Sequence, residues 1–382
     1  MRSSSEAIVC GAGAAGLAAA ACLKNAGVEP VVLERGDGVG QSWRRRYDGL
    51  YLNTLGWTST LPGFRSSRRR YGEYPARDRW VEYLEDYSDH HGLRIELGAE
   101  VERIDRANGG WRVETSGGSR EVDFAVVAVG YDHDPWMPDW PGRDAFEGEL
   151  LHAAHYRSPE PFHDRDVLVV GAGNTGSEVA TFLANGGAGR VRIAMRTPPN
   201  IFPRTWLGTP LTLTAIALDW LPSGAADAMG RMTQRMIYGD LSKQGLPFPE
   251  LGVRRSLEIK HIAPAIDAGF VEAVKQGRIE LLPTIDRFEG RDVVLLDGTR
   301  IQPDAVIAAT GYRRGLDPLV GHLDVLDEWG MPIGAFERGV VEQPHAPGLF
   351  FCGYRSKVSG QLRQMRFDAR RVGRIVKKRA PA

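Results

Sequence analysis

The sequence predicts an α/β chain in which one strand–loop–helix unit is written twice. Three observations carry that expectation. A β-rich strand runs directly into a glycine loop and then a helix at Gly11, and does so again at Gly171, 160 residues later. Each copy continues into a second strand. Each also closes on a hairpin that feeds a buried strand ending in glycine, Gly130 in one case and Gly311 in the other.

The first copy opens with Ala7-Ile8-Val9-Cys10, turns through Gly11-Ala12-Gly13-Ala14-Ala15-Gly16 and enters an alanine-rich helix to about Asn25. Its second strand, Val31-Val32-Leu33, ends at Glu34. The second copy opens with Val167-Leu168-Val169-Val170 and turns through Gly171-Ala172-Gly173-Asn174-Thr175-Gly176. A helix to Asn185 follows, then a strand from Val191 to Met195. The closing hairpins turn at Gly117-Gly118 and at Asp297-Gly298.

In such a Rossmann-like unit the first glycine permits the tight turn and the second lets the backbone approach a pyrophosphate. The third allows close helix–strand packing, while the helix N-terminus adds partial positive charge. A strand before each loop and a helix after it supply the context this mechanism needs. The residue ending the second strand then selects the ribose. Glu34 lies 21 residues past Gly13 and suits ribose hydroxyls, so the first site is expected to take FAD. The second strand of the other copy runs into Arg196, whose guanidinium suits a 2′-phosphate, so that site is expected to take NADPH over NADH.

Composition narrows the rest. Lys+Arg and Asp+Glu both number 48 in 382 residues, which argues against a general nucleic-acid binder. The local runs Arg44-Arg45-Arg46, Arg68-Arg69-Arg70 and Lys377-Lys378-Arg379 are read as solvated charge. Cys10, Cys22 and Cys352 form no CxxC, so no dithiol centre is written, and such sparse usage suits a reducing cytoplasm. The nine histidines show no ligand spacing, so no metal is expected. The most lipid-like run, Leu211 to Leu221, contains Asp219 and is shorter than the roughly 20 residues of a membrane span, so none is expected.

Between the units, Phe146-Glu147-Gly148-Glu149-Leu150-Leu151-His152-Ala153-Ala154-His155-Tyr156 matches FxGxxxHxxxY. With a glycine loop on either side, the chain resembles the flavin-containing monooxygenases. Asn200-Ile201-Phe202-Pro203-Arg204, Gly245-Leu246-Pro247-Phe248-Pro249, Ala308-Ala309-Thr310-Gly311-Tyr312, Gly40-Gln41-Ser42-Trp43 and Pro138-Asp139-Trp140-Pro141-Gly142 are similar to the YUCCA-type branch and its bacterial relatives. Tyr156-Arg157 replaces the Trp-Pro or Trp-Asp of Baeyer–Villiger enzymes, which turns the reading away from lactone- or ester-forming chemistry. Asn53 falls where many flavin-containing monooxygenases place an asparagine beside the flavin and the YUCCA branch often does not.

The resemblance implies an FAD domain over residues 1–157 and 306–382, with an NADPH domain at 158–305 inserted in it and a helical insertion at about 200–250. It implies an NADPH-dependent enzyme that forms a C4a-hydroperoxyflavin with dioxygen and oxygenates a small organic substrate. That substrate is a 2-oxo acid such as indole-3-pyruvate, or a compound oxygenated at nitrogen or sulfur. The cofactor carries the chemistry and the protein supplies placement and electrostatics. On this reading the catalytic candidates are Asn53, as a hydrogen-bond partner or a loop cap, and His152, as a packed hydrogen-bonding residue or one that helps to hold the two domains in register. Gly11, Gly13, Gly16, Glu34, Trp43, Gly171, Gly173, Asn174, Thr175, Gly176, Arg196, Gly311, Gln361 and Leu362 are the cofactor-binding candidates. A last buried strand, Gly348-Leu349-Phe350-Phe351-Cys352-Gly353, is expected to return to the first domain, and the helix after Gly360-Gln361-Leu362, to about Lys377, to aim its N-terminus at the flavin.

Residues 201–250, with Trp206, Trp220, Met229, Met232, Met236 and Phe248, fit neither unit. They are read as a tunnel roof, as a contact with a second subunit in a homodimer, or as a packed excursion. Two other functions stay open at this point: a flavoprotein reductase delivering electrons to a protein partner, and a non-catalytic cofactor-binding module.

Overall fold

Both glycine loops sit on parallel sheets of the same design, because each loop must deliver the chain from one buried strand to a helix covering it. The computed structural model describes residues 6–379, the side chain of Glu337 excepted. It divides into two compact units, residues 1–45, 49–134 and 312–382, and residues 46–48 and 135–311.

In the first unit, strand Glu6–Cys10 pairs in parallel with Glu29–Glu34 on one side and Phe124–Val127 on the other. Arg94–Leu97 and Leu349–Phe351 complete five parallel strands. The C-terminal strand therefore does return to the first sheet. Helix Ala14–Lys24 is buried along nearly its whole length, which its alanines allow by letting neighbours approach closely. The C-terminal helix Gln361–Arg379 packs on it at Gly373, where a Cβ would lie 2.8 Å from the Cys22 carbonyl oxygen. Helix Arg77–His91 contributes Trp80, Tyr83 and Tyr87 to the same core. Tyr83 Oη accepts from the Leu61 amide at 2.8 Å, and Tyr87 Oη donates to the Pro62 carbonyl at 2.8 Å, so the loop following Asn53 is held in place.

In the second unit, Asp166–Val170 lies between Arg190–Met195 and Ala305–Ala308, with Glu280–Pro283 and Glu149–His152 at the edges. Each unit also carries a three-stranded antiparallel meander, residues 101–122 and 285–301. Two segments depart from the expected division. Residues 135–157 and strand Ala305–Ala308, expected wholly or in part with the first domain, belong to the second unit. Backbone pairing is the reason: Glu149 to His152 align with Ala305 to Ala308, and those align in turn with Val167 to Val170. A four-residue edge strand in a connector has too short a period to be read locally.

The 201–250 segment carries helices Leu211–Leu218 and Ser223–Tyr238 beside short strands. Its strand Ile201–Pro203 pairs with Ala265–Asp267. The long helix buries Ala226, Asp227, Gly230 and Gln234 and leaves Met229, Met232 and Met236 exposed. Among the described residues, no helix is long and apolar enough to cross a membrane.

Candidate functional site

The two glycine loops share one geometry. Gly11 and Gly171 adopt φ of 106° and 105°, and a Cβ on either would lie 2.6 or 2.5 Å from a carbonyl oxygen of the strand behind it. Gly16 and Gly176 close the turn, where a Cβ would sit 1.9 and 1.8 Å from the carbonyl oxygens of Gly11 and Gly171. Gly13 and Gly173 differ from both: their backbones are extended, and a Cβ there meets nothing within 4 Å. Both middle glycines thus face open space in front of a helix. Neither helix has a side-chain cap or an acidic residue in its first turn, so its unbonded amides face outward unopposed. That is what a pyrophosphate needs, and the residues fit one dinucleotide in each unit.

Beyond the loops the chemistry diverges. Glu34, 8% exposed, accepts from the Ala12 amide through Oε2 and the Gly36 amide through Oε1, both at 2.8 Å. The carboxylate clamps the loop, and with about four acceptor sites it still has capacity for ribose hydroxyls. It borders a cavity of about 380 Å³ lined also by Gly11, Arg35, Glu100, Val129 and His133. His133 Nδ1 lies 3.1 Å from the Val129 carbonyl and so carries the proton, leaving Nε2 to accept from Arg35 at 3.2 Å.

In the second unit Arg196 follows strand Arg190–Met195 and is exposed. No carboxylate among the described residues pairs with it. Arg192, two turns of the pleat earlier, is 4% exposed and paired with Asp166 and Glu280, so it is committed to the sheet.

Other candidates prove to be engaged by the protein itself. The Asn174 amide donates to the Pro264 carbonyl at 2.9 Å and accepts from the Ile266 amide at 2.8 Å. It thus ties the second loop to residues 264–266, while neighbouring Thr175 is half-buried. His152, expected to hold the two domains in register, is instead engaged inside the second unit. It is 5% exposed; Nδ1 accepts from the Ala154 amide at 3.0 Å and Nε2 donates to the Gly311 carbonyl at 3.1 Å. Burial lowers its pKa, and the bond to Gly311 works against that shift. With both nitrogens occupied, the ring positions Gly311, whose φ of 90° turns the chain out of the strand.

The first unit gathers the remaining candidates. Asn53 is half-buried between Leu52, bonded to Pro75 O at 2.8 Å, and Thr54. A Cβ on Gly360 would lie 2.7 Å from Thr54 Cγ2, so the Asn53 loop runs beside the start of the C-terminal helix. There Gln361 Nε2 donates to the Gly353 carbonyl at 2.8 Å, and Leu362 joins the core. Trp43 packs edge-on against Trp80 at 6.1 Å between centroids, on the rim of that core.

Sequence reasoning missed Glu178, two residues past the third glycine of the second loop. It is buried and accepts from Tyr47 Oη at 2.6 Å. Tyr47 also meets Tyr156 and Phe182 edge-on, which makes Tyr156 of the fingerprint a packing anchor. An acidic residue facing into a helix that must be buried was the available signal. The three thiols are buried and widely separated. Burial pushes Cys10 up to about 12 and Cys22 to about 11, so they are poor nucleophiles.

The family model for pyridine nucleotide-disulphide oxidoreductases matches residues 8–207. The chain is 33% identical over 359 residues to the probable indole-3-pyruvate monooxygenase YUCCA9 of Arabidopsis thaliana, covering 92% of this chain and 84% of that protein. It is 37% identical over 317 residues to the indole-3-pyruvate monooxygenase YUCCA1 of Oryza sativa subsp. japonica, covering 80% and 76%. The flavin-containing monooxygenase of Stenotrophomonas maltophilia shares the fold, with a TM-score of 0.73 at 22% identity over 98% of each chain.

Proposed function

The chain belongs to the pyridine nucleotide-disulphide oxidoreductase family and its flavin monooxygenase branch, and from that premise we propose that its two glycine cradles divide the cofactors, FAD in the first unit and NADPH in the second. The protein is an NADPH- and O₂-dependent enzyme that uses FAD to oxygenate a small substrate. Bound FAD would supply the redox chemistry that the residues themselves lack, namely hydride acceptance from NADPH and activation of dioxygen for transfer of one oxygen atom.

The protein's own residues hold these groups. Gly11, Gly13 and Gly16 bring backbone amides to the FAD pyrophosphate, and Glu34 receives its ribose from the open side of the clamp. Gly171, Gly173 and Gly176 do the same for NADPH, where Arg196 meets the 2′-phosphate as a planar fork. Asn174 and His152 are positioning residues: one fixes the loop against residues 264–266, the other fixes Gly311. Asn53, beside Gln361 and Leu362, supplies an amide to the reacting end of the flavin. The observation that carries the division is the repeated open space at Gly13 and Gly173, joined to opposite charges at Glu34 and Arg196.

The substrate is proposed to be an aryl 2-oxo acid of the indole-3-pyruvate type, on the strength of the YUCCA relatives. One oxygen atom enters the acid, its carboxyl leaves as CO₂, and the second oxygen atom leaves as water with the hydride of NADPH and a proton. Mixing the FAD-loaded enzyme with NADPH, ¹⁸O₂ and a panel of 2-oxo acids, amines and thioethers tests this. A shortened, singly ¹⁸O-labelled acid is the expected product; labelled N- or S-oxides alone would overturn the substrate class. Asn53→Ala should lower product formed per NADPH and raise hydrogen peroxide release, while an unchanged ratio would return Asn53 to a loop-shaping role.

A homodimer is also proposed, packed on the exposed Met229, Met232 and Met236 face, with a Met232→Glu variant expected to elute as monomer. We also propose a cytoplasmic location, which the sparse use of cysteine supports.

A further inference from the structure

The chain has no net charge, and many arginines on its surface meet a carboxylate. Arg44 pairs with Glu85, Arg68 with Glu73, Arg70 with Glu82 and Asp86, and Arg112 with Glu121. The C-terminal helix breaks that pattern. Gln361–Arg379 carries eight cations and one acid, Asp368. Arg379 pairs with Glu342, but no carboxylate among the described residues forms an ion pair with Arg370, Arg371, Arg374 or Lys377.

These four cations line one side of a groove of about 700 Å³ in the first unit. Arg355 lines it too, and the end of the first helix, from Cys22 to Ala26, forms the other side. None of the lining residues belongs to the glycine loop. The groove exists because Gly373 lets the two helices touch backbone to backbone at Cys22. Arg370, Arg374 and Lys377 follow the spacing i, i+4, i+7 and so run about 10 Å along one helix face.

A bland electrostatic reading covers only part of this. Cations in a helix's last turn suit its dipole, which accounts for Lys377, Lys378 and Arg379, and the carbonyl end of the first helix offsets some charge. It does not account for Arg370, Arg371 and Arg374 one to three turns earlier, nor for Arg355 from a separate loop. One observation points to an unmet partner: Arg355 Nε is buried with no hydrogen-bond partner among the described residues. The acid present, Asp368, is 4% exposed, and burial pushes its carboxyl up to about 7 against the pull of Arg355 and Arg371, so a single partly ionised carboxylate faces the cluster at neutral pH.

We propose that the groove between the first and C-terminal helices binds a small, elongated polyanion bearing several phosphates, held by Arg355, Arg370, Arg371, Arg374 and Lys377 apart from both dinucleotide cradles. Guanidinium forks match phosphate bidentately, which explains arginine over lysine at most positions. The volume suits a small molecule. The apolar face of the helix is spent on the core, with Leu362, Ala369, Val372 and Val376 buried, and the one large apolar side chain it exposes, Phe367, is too little to insert into a bilayer.

Titrating FAD-saturated protein calorimetrically with sodium tripolyphosphate tests the site. Wild type should bind, more weakly as salt rises, and Arg370→Glu/Arg374→Glu should weaken binding by about tenfold or more. Flavin content and NADPH oxidation should stay unchanged in the variant; if charge reversal disturbs folding, Arg370→Gln/Arg374→Gln makes the same comparison. Co-sedimentation with phosphatidylglycerol vesicles is the parallel arm. Vesicle binding that depends on Arg370 and Arg374, without tripolyphosphate binding, would keep the phosphate chemistry and assign it to lipid headgroups. Binding to neither probe, or equal binding by wild type and both variants, would overturn the proposal while leaving the monooxygenase reading untouched.

Discussion

The two glycine loops are nearly superimposable in design and opposite in what lies beyond them. Gly11 and Gly171 share their φ within a degree, and the closing glycines approach a carbonyl with the same intolerance of a side chain. Yet the first cradle ends at a buried carboxylate tied to its own loop, and the second at an exposed guanidinium. On the proposed reading, this shared backbone geometry offers each unit a pyrophosphate site, and one charged residue at the end of the next strand selects the nucleotide.

The severest way to break this symmetry is to fill the closing position. Gly16→Ala places a Cβ where only 1.9 Å is available against backbone, and the purified protein is expected to lack flavin colour. Gly176→Ala should keep FAD but reduce NADPH-driven flavin reduction by about 100-fold, since a clash with backbone costs on the order of 3 kcal/mol. Gly173→Ala sharpens the point: its Cβ meets no atom, so the thermal midpoint should hold while the NADPH KM rises.

Exchanging the charge chemistry comes next. Glu34→Gln keeps one acceptor for the loop amides but loses the charge-assisted bonds, about 1.5–3 kcal/mol in all, so FAD affinity should fall roughly 10- to 100-fold. Equilibrium dialysis of the flavin measures it, and an unchanged Kd would remove Glu34 from the site. Arg196→Ala should raise the NADPH KM about tenfold and leave the NADH KM within about twofold. Equal changes in the two constants would end the assignment of the second cradle to NADPH.

The smallest effect belongs to His152. Its pKa is lower in the folded protein than its ordinary value of about 6.5. Below that ordinary value the unfolded chain binds more protons than the folded one, so stability is lost as pH falls toward the lowered pKa. His152→Gln keeps a donor and an acceptor without titrating. Between pH 7.5 and 5.5 the wild-type thermal midpoint should drop about 1–2 °C more than that of His152→Gln. Parallel curves would show that His152 does not titrate in that window.

Much of this was legible in the chain. Glycine is the only residue that supplies both a positive φ and room for a carbonyl, so Gly11-x-Gly13-x-x-Gly16 and its repeat are legible as turns in the sequence alone. The same holds for the C-terminal strand at Leu349–Phe351, whose apolar run between glycines marks a buried parallel strand. The carboxylate at Glu34 and the guanidinium at Arg196 were readable as charges at known offsets.

What the sequence by itself determined was thus local: turns that need glycine, strands that must be buried, and a charge at each strand end. Tertiary structure alone decided partners. It put Glu149–His152 on the second sheet, turned His152 inward to Gly311, tied Asn174 to residues 264–266, and joined Tyr47 to Glu178 across 131 positions. Backbone conformation is set by sterics between near neighbours, which a sequence displays. Hydrogen bonds and ion pairs join residues tens to hundreds of positions apart, and only the folded chain shows which of many chemically equal groups lies within 3 Å.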